Sequence, residues 1–206
     1  GSALGSRLAG VGGLTVLREV VRRLPAESTI YLGDNARAPY GPRSDEEVRR
    51  FSAESLDELA ARDVKAIVVA CNTSSAIALN ELRLRYPLPI LGVVRPGATA
   101  AALATRSRRV GVIATAATVR SHAYFQAIKD EDPFIDVVEL ATPDLVPLVE
   151  AGQLDGPLVE DVVERSIAPL LEHAARPATL LLGGTHYPLR APIIERRMGA
   201  DVAVLD

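Results

Sequence analysis

Two stretches decide the fold: residues 66–75, AIVVACNTSS, and residues 179–188, TLLLGGTHYP. Each is a short apolar run that stops abruptly in small and hydroxyl residues. A buried parallel strand reads this way when it ends in a cleft, because both of its faces are covered and its C-terminal end delivers side chains and amides to a ligand. Two such ends are suited to face each other across one small substrate. The first offers the thiol of Cys71 beside Asn72 and Thr73, and the second offers Thr185 and His186 behind Gly184.

Outward from these ends, apolar runs alternate with amphipathic segments, the pattern of parallel sheets flanked by helices. Strands are expected at 29–33, 66–70, 90–94, 109–114, 136–140, 179–183 and 201–205. Helices are expected at 14–24, 44–62, 74–86, 97–106, 119–130, 156–175 and 192–198. Ser44 precedes three acids, Asp45, Glu46 and Glu47, so it reads as an N-cap with Glu47 completing a capping box. The opening GSALGSRLA has no β-branched residue and reads as a poor strand.

A break near Arg95, Pro96 and Gly97 divides the chain into two strand-helix series. The expected architecture is α/β: two pseudo-symmetric lobes with the site in the cleft between them. The first lobe, residues 1–94, carries Cys71; the second, residues 95–206, carries Gly184, Thr185 and His186, with the last residues returning to the first lobe.

Composition narrows the chemistry. With 48% hydrophobic residues the 206-residue chain can bury a substantial core. A net charge of −3 and no basic cluster larger than RSRR, residues 106–109, give no electrostatic reason to expect nucleic acid or an anionic membrane. No apolar stretch approaches the roughly 20 residues of a membrane span, and the start lacks the apolar core of a signal peptide, so the expected compartment is the cytoplasm. The single cysteine excludes an internal disulfide and a thiolate metal cluster. Neither lysine, Lys65 nor Lys129, lies in a motif suited to a Schiff base, and His122, His173 and His186 are too scattered for a metal site. No cofactor and no metal are expected.

Each candidate has a plain reading beside the chemical one. Cys71 is either a small buried hydrophobe or a thiol at the start of a helix, whose free amides favour a thiolate and bind a carboxylate. His186 is structural or polarises a substrate carboxylate. Tyr40 and Gly41, in the turn RAPYGP with Asp34 and Asn35 nearby, shape a loop or touch substrate. Thr118 caps a helix or bonds substrate, and Glu150 is an exposed helix acid or a catalytic group. The turn of Gly10, Gly12 and Gly13 is too short for a dinucleotide fingerprint and lacks the P-loop lysine.

Five segments, GVGGLTVLREVVRRLP (10–25), YLGDNARAPYGPRS (31–44), VKAIVVACNTSSAIAL (64–79), RVGVIATAATVRSHAY (109–124) and LLLGGTHYPL (180–189), occur in an order and at spacings that closely resemble the bacterial glutamate racemases. The resemblance runs from about Gly10 to the end. It implies two flavodoxin-like lobes and a cofactor-independent interconversion of L- and D-glutamate that supplies peptidoglycan synthesis. It further implies Cys71 as one acid-base thiol, serving the D-enantiomer, and a second thiol at the position of Gly184. His186 and Glu150 would assist that second side, and Tyr40, Gly41, Asn72, Thr73, Thr118 and Thr185 would contact substrate. The expected partner is a small dicarboxylic amino acid, glutamate with aspartate as a variant, and a homodimer is a further expectation.

Four positions depart from the family pattern: Leu8 and Ala9 stand where it has an Asp-Ser pair, Gly184 where it has the second cysteine, and Arg95 where it commonly has Glu. Racemisation needs a base on one face of the α-carbon and an acid on the other, so the expectation is a racemase with impaired turnover. A one-thiol decarboxylase-type enzyme, or a silent binding or regulatory protein, are the alternatives.

Overall fold

The computed structural model describes residues 4–8, 13–153, 155–173 and 176–206. Four parallel strands, β1 (Leu4–Leu8), β2 (Thr29–Gly33), β3 (Ala66–Val69) and β4 (Ile90–Gly92), form one sheet in the order β2-β1-β3-β4. Another four, β5 (Arg109–Ala114), β6 (Asp136–Ala141), β7 (Thr179–Gly183) and β8 (Ala203–Leu205), form a second sheet in the order β6-β5-β7-β8. The two orders are the same pattern, so β3 and β7 hold equivalent places. In each sheet the connections leave in opposite directions from the central pair, which opens a crevice at the C-terminal ends of β1 and β3 and of β5 and β7.

Between the strands lie α1 (Gly13–Arg23), α2 (Asp45–Ala60), α3 (Asn72–Ile77), α4 (Leu79–Arg85), α5 (Val94–Ala104), α6 (Ala116–Ser121), α7 (Ala123–Glu131), α8 (Leu145–Glu150), α9 (Pro157–Leu171) and α10 (Ala191–Met198). The second sheet is filled on both faces by a period of two. Val110, Val112, Ala114 and Leu181 turn to α5 and α7, whereas Ile113, Leu180 and Leu182 turn to α9 and α10. In the first sheet Ile67, Val69 and Ile90 pack on α2 and α4. Burying each such side chain contributes about 1.5–3 kcal/mol relative to exposure. Ser44 caps α2 through the expected reciprocal box with Glu47.

Several expectations are corrected. Residues 4–8 do form a strand, and it is central: β1 pairs with β2 on one side and β3 on the other, so ladder hydrogen bonding outweighs its weak propensity. The helix expected at 74–86 divides at Ala78, and the one expected at 119–130 divides at His122, which takes φ 52°. Helix α5 starts at Val94 rather than 97, since Pro96 lies in its first turn where no N–H is needed. Helix α8 is not among the helix spans expected above; Pro147 again falls in a first turn. The last strand, β8, pairs with β7 and so stays in the second sheet through Leu205. Ala9, Gly10 and Gly12 lie outside the described residues.

Candidate active site

The chain turns from β3 into α3 at Cys71, whose extended backbone makes it the N-cap: the Ser74 amide donates to its Sγ at 3.5 Å. Cys71 is packed in a cluster with Tyr40, Val48, Phe51 and Ile77, leaving 8% of it exposed. The equivalent strand β7 ends at Gly183, and Gly184, Thr185 and His186 follow before a 3₁₀ turn, Tyr187–Arg190. Both ends line one cavity together with Tyr40, Gly41, Asn72, Thr73, Thr115, Val146 and Glu150. Its volume is about 30 Å³, room for one or two waters and far less than an amino acid occupies.

The cavity is walled by hydrogen bonds that join the two lobes. Thr73, Thr115 and Thr118 form a ring of hydroxyls with oxygen separations of 2.9, 3.0 and 3.3 Å. Thr118 thereby sits behind the lining, and the helix cap assigned to it belongs to Thr115, which accepts from the Thr118 amide. Asn72 donates through Nδ2 to the Tyr124 hydroxyl at 2.6 Å. The loop carrying Tyr40 and Gly41 reaches the second lobe as well, where the Ala117 amide donates to the Gly41 carbonyl at 3.3 Å and Arg120 pairs with Asp45 at 2.9 Å. Gly41 is required there: a β-carbon would stand 2.9 Å from Thr115 Cβ.

Asp34 fixes that loop from below. Its Oδ2 accepts from the Tyr40 hydroxyl at 2.5 Å and pairs with Arg37 Nε at 2.7 Å, while its side chain is only 8% exposed. Arg37 in turn lies 4.5 Å over the Phe51 ring and pairs with Glu54. On the opposite side, His186 Nε2 and Glu150 Oε1 are 2.6 Å apart, with the histidine 12% and the carboxylate 28% exposed. Burial pushes the Tyr124 and Tyr187 phenols up, so both are neutral hydrogen-bonding groups at physiological pH.

Gly184 is closely covered. A β-carbon there would meet the Tyr187 ring at 2.9 Å from Cε2 and 3.1 Å from Cδ2, and that ring is fully buried with its hydroxyl accepting from Thr142 at 2.9 Å. A larger groove of about 640 Å³ lies on the far side of the wall formed by Asn72, Gly184 and Thr185, bounded by Val16, Val93, Pro96, Tyr124 and Leu181.

The structure therefore brings Cys71, Gly184, His186, Glu150, Tyr40, Gly41, Asn72, Thr73 and Thr185 to one cavity, with Thr118 one bond behind. Arg95 does not join them; it pairs with Asp130 at 3.2 Å on the surface. The backbone of Leu8 ends β1 beside the Cys71 crevice, paired with Gly33. Sequence reasoning missed Tyr124 and Tyr187 as wall residues, since nothing local marks a tyrosine whose partner lies 52 or 45 residues away. Among the described residues no group of three or more His, Cys, Asp or Glu is arranged to hold a metal ion, and no helix is long and apolar enough to cross a membrane.

Residues 11–206 match the Asp/Glu/Hydantoin racemase family. The chain is 48% identical over 197 residues to a glutamate racemase of Exiguobacterium sibiricum, covering 96% of this chain and 72% of the relative. It superposes on the crystal structure of glutamate racemase isoform RacE1 from Bacillus anthracis with a TM-score of 0.95 at 42% identity, over 99% of this chain and 76% of the other. A Francisella tularensis glutamate racemase in complex with D-glutamate matches with a TM-score of 0.89 at 34% identity, over 100% of this chain and 76% of that one.

Proposed function

The chain belongs to the Asp/Glu/Hydantoin racemase family, and we propose that it is a glutamate racemase polypeptide whose second proton-transfer side is disabled. It is an isomerase by kinship, and glutamate is its ligand class. The observation that carries the reading is the placement of Cys71 and Gly184 on the equivalent ends of β3 and β7, lining one cavity.

Cys71 takes or returns the α-proton on one face. On the other face no thiol stands, and the Glu150–His186 pair remains beside a bare backbone. Loss of one general acid-base partner costs roughly 10² to 10⁴-fold. Thr73, Thr115, Thr185 and the amides after both strands supply donors for carboxylates, and the Tyr40–Gly41 loop closes over them. The lobes, taken as residues 1–94 and 95–206, must part for an amino acid to enter, because the cavity as it stands admits only water. The cytoplasm is the compartment this chemistry calls for, since the thiol must remain reduced to act.

The Tyr187 ring over Gly184 favours a second reading, a one-thiol enzyme that protonates a planar intermediate from the Cys71 face alone. Chiral chromatography of reactions started from each enantiomer, with a two-cysteine relative alongside, separates the two. The first reading expects slow conversion, at least roughly two orders of magnitude below the relative. Robust conversion in both directions overturns it, and consumption of the supplied enantiomer with release of carbon dioxide, without formation of its mirror image, supports the second.

A further inference from the structure

The ring of Tyr124, in α7, is fixed by its surroundings. The residue is fully buried, and two glycines leave room for the ring edges: a β-carbon on Gly183, at the end of β7, would meet Cε2 at 2.9 Å, and one on Gly97, in α5, would meet Cε1 at 3.5 Å. These are the two ring carbons beside the one that bears the hydroxyl, so the phenolic oxygen has a set place in the fold. From that place it accepts a hydrogen bond from Asn72 Nδ2 at 2.6 Å. The donor belongs to the other sheet: Asn72 opens α3 after β3, next to Cys71, and lines the cavity. Asn72 is buried too, and among the described residues this is the one hydrogen bond its side-chain amide makes. An asparagine amide carries two N–H donors and a carbonyl acceptor. With one N–H given to Tyr124, a donor and an acceptor remain, the pair that the carboxylate and ammonium of an amino acid call for.

We propose that Tyr124 is a positioning residue for the amino-acid site, its hydroxyl holding the Asn72 amide in the orientation in which it meets the ligand. An amide tied at one edge has less freedom to lose when a ligand arrives. Ordering a free side chain at an interface costs roughly two- to tenfold in affinity, which sets the size of the effect. The tie also couples the two halves of the site. Tyr124 packs in the core of the second sheet with Val112 and Leu181, whereas Asn72 follows the strand that leads into Cys71, so the amide is oriented only while the ends of β3 and β7 stand together. Tyr124→Phe removes the tie and leaves the ring between its two glycines.

The inference rests on reading the cavity as an amino-acid site, and the test separates the two. The chain has three asparagines, of which Asn35 and Asn80 are exposed, so in protein labelled with ¹⁵N-asparagine the variants Asn35→Asp and Asn80→Asp assign the Asn72 side-chain amide by elimination. Calorimetric binding of D-glutamate is measured on the full chain, Tyr124→Phe, Asn72→Ala and the double variant. Tyr124→Phe is expected to move the Asn72 amide resonances before any ligand is added and to weaken D-glutamate roughly two- to tenfold. Asn72→Ala should weaken it at least as much, and the double variant no further than Asn72→Ala alone. A Tyr124→Phe loss that persists in full on the Asn72→Ala background overturns the proposal, because the hydroxyl would then act through the fold and not through Asn72. So does a Tyr124→Phe variant that binds as the parent does, or one whose Asn72 resonances stay in place. If the unmodified chain binds no D-glutamate, the amino-acid reading fails and the positioning role fails with it, even where the resonances show the hydrogen bond itself.

Discussion

The Tyr187 ring stands 2.9 Å from the point where a β-carbon on Gly184 would lie. This is closer than a carbon–carbon contact allows, and the ring is held by Thr142 in a fully buried position. Restoring a side chain at 184 therefore has a packing cost distinct from its chemical gain. Gly184→Ala is expected to lower stability by about 1–3 kcal/mol, without creating turnover. Gly184→Cys should cost a similar amount and yet recover part of the two-way racemisation lost with the second thiol. Urea unfolding of both variants beside chiral assays checks this; equal activity in the two would mean that the thiol is not the missing part.

The reason the strand ends and the cleft were legible and this contact was not lies in the range of the forces. AIVVA and TLLLG announce buried strands through local composition, and the hydroxyls after them announce a cleft. The capping box of Ser44 and Glu47 is likewise complete within four residues. The central strand β1 was misread because it is paired on both sides, with β2 and β3, and no local pattern announces those neighbours. Helix α8 is only six residues long and carries Pro147 in its first turn, where a proline is tolerated. The Asn72–Tyr124 bond and the Tyr187 ring over Gly184 exist only once distant segments pack, so no local pattern carries them.

Cys71 is the one thiol in the chain, and its Sγ already accepts the Ser74 amide at 3.5 Å. In deuterated solvent the unmodified chain is expected to wash deuterium into D-glutamate while producing little L-glutamate, and Cys71→Ser should abolish the exchange. Mass spectrometry of each recovered enantiomer reads the result. Exchange into L-glutamate alone would falsify the assignment of Cys71 to the D-face.

The cap of α2 gives a stability prediction with a pH window. Hydrogen bonds from the Ser44 backbone and side chain hold the Glu47 carboxyl below its ordinary value of 4.5. A depressed carboxyl stabilises the fold above its unfolded pKa and loses that contribution as pH falls through the folded one. Ser44→Ala is expected to cost about 0.5–2 kcal/mol at pH 7. The part owed to Glu47 should disappear below its folded pKa, so the gap between variant and parent narrows in acid. A gap that stays constant or widens as pH falls from 7 to 3, followed by denaturant titration, would count against the reciprocal cap.

The loop of Tyr40 and Gly41 ties the two lobes, so changing its two ends should act on binding in different ways. Gly41→Ala places a methyl against Thr115 Cβ at 2.9 Å and Cγ2 at 3.0 Å, neither of which is the free end of a flexible chain. The lobes must then separate slightly, and closure over a ligand is resisted, with an expected cost of about 1–3 kcal/mol that appears mainly as weakened D-glutamate affinity. Asp34→Asn acts from below. The amide keeps the shape of the carboxylate but gives up its charge to Arg37 and its strong acceptor to the Tyr40 hydroxyl. Since both bonds converge on one oxygen with the side chain 8% exposed, the loss should appear in unfolding as about 1–3 kcal/mol and in binding as well, because the loop loses its anchor. Calorimetry with D-glutamate, set beside thermal unfolding, distinguishes the two ends. Gly41→Ala losing affinity with little change in unfolding, and Asp34→Asn losing both, is the expected pattern; a Gly41→Ala variant that binds as the parent does would show that the contact with Thr115 is no part of closure.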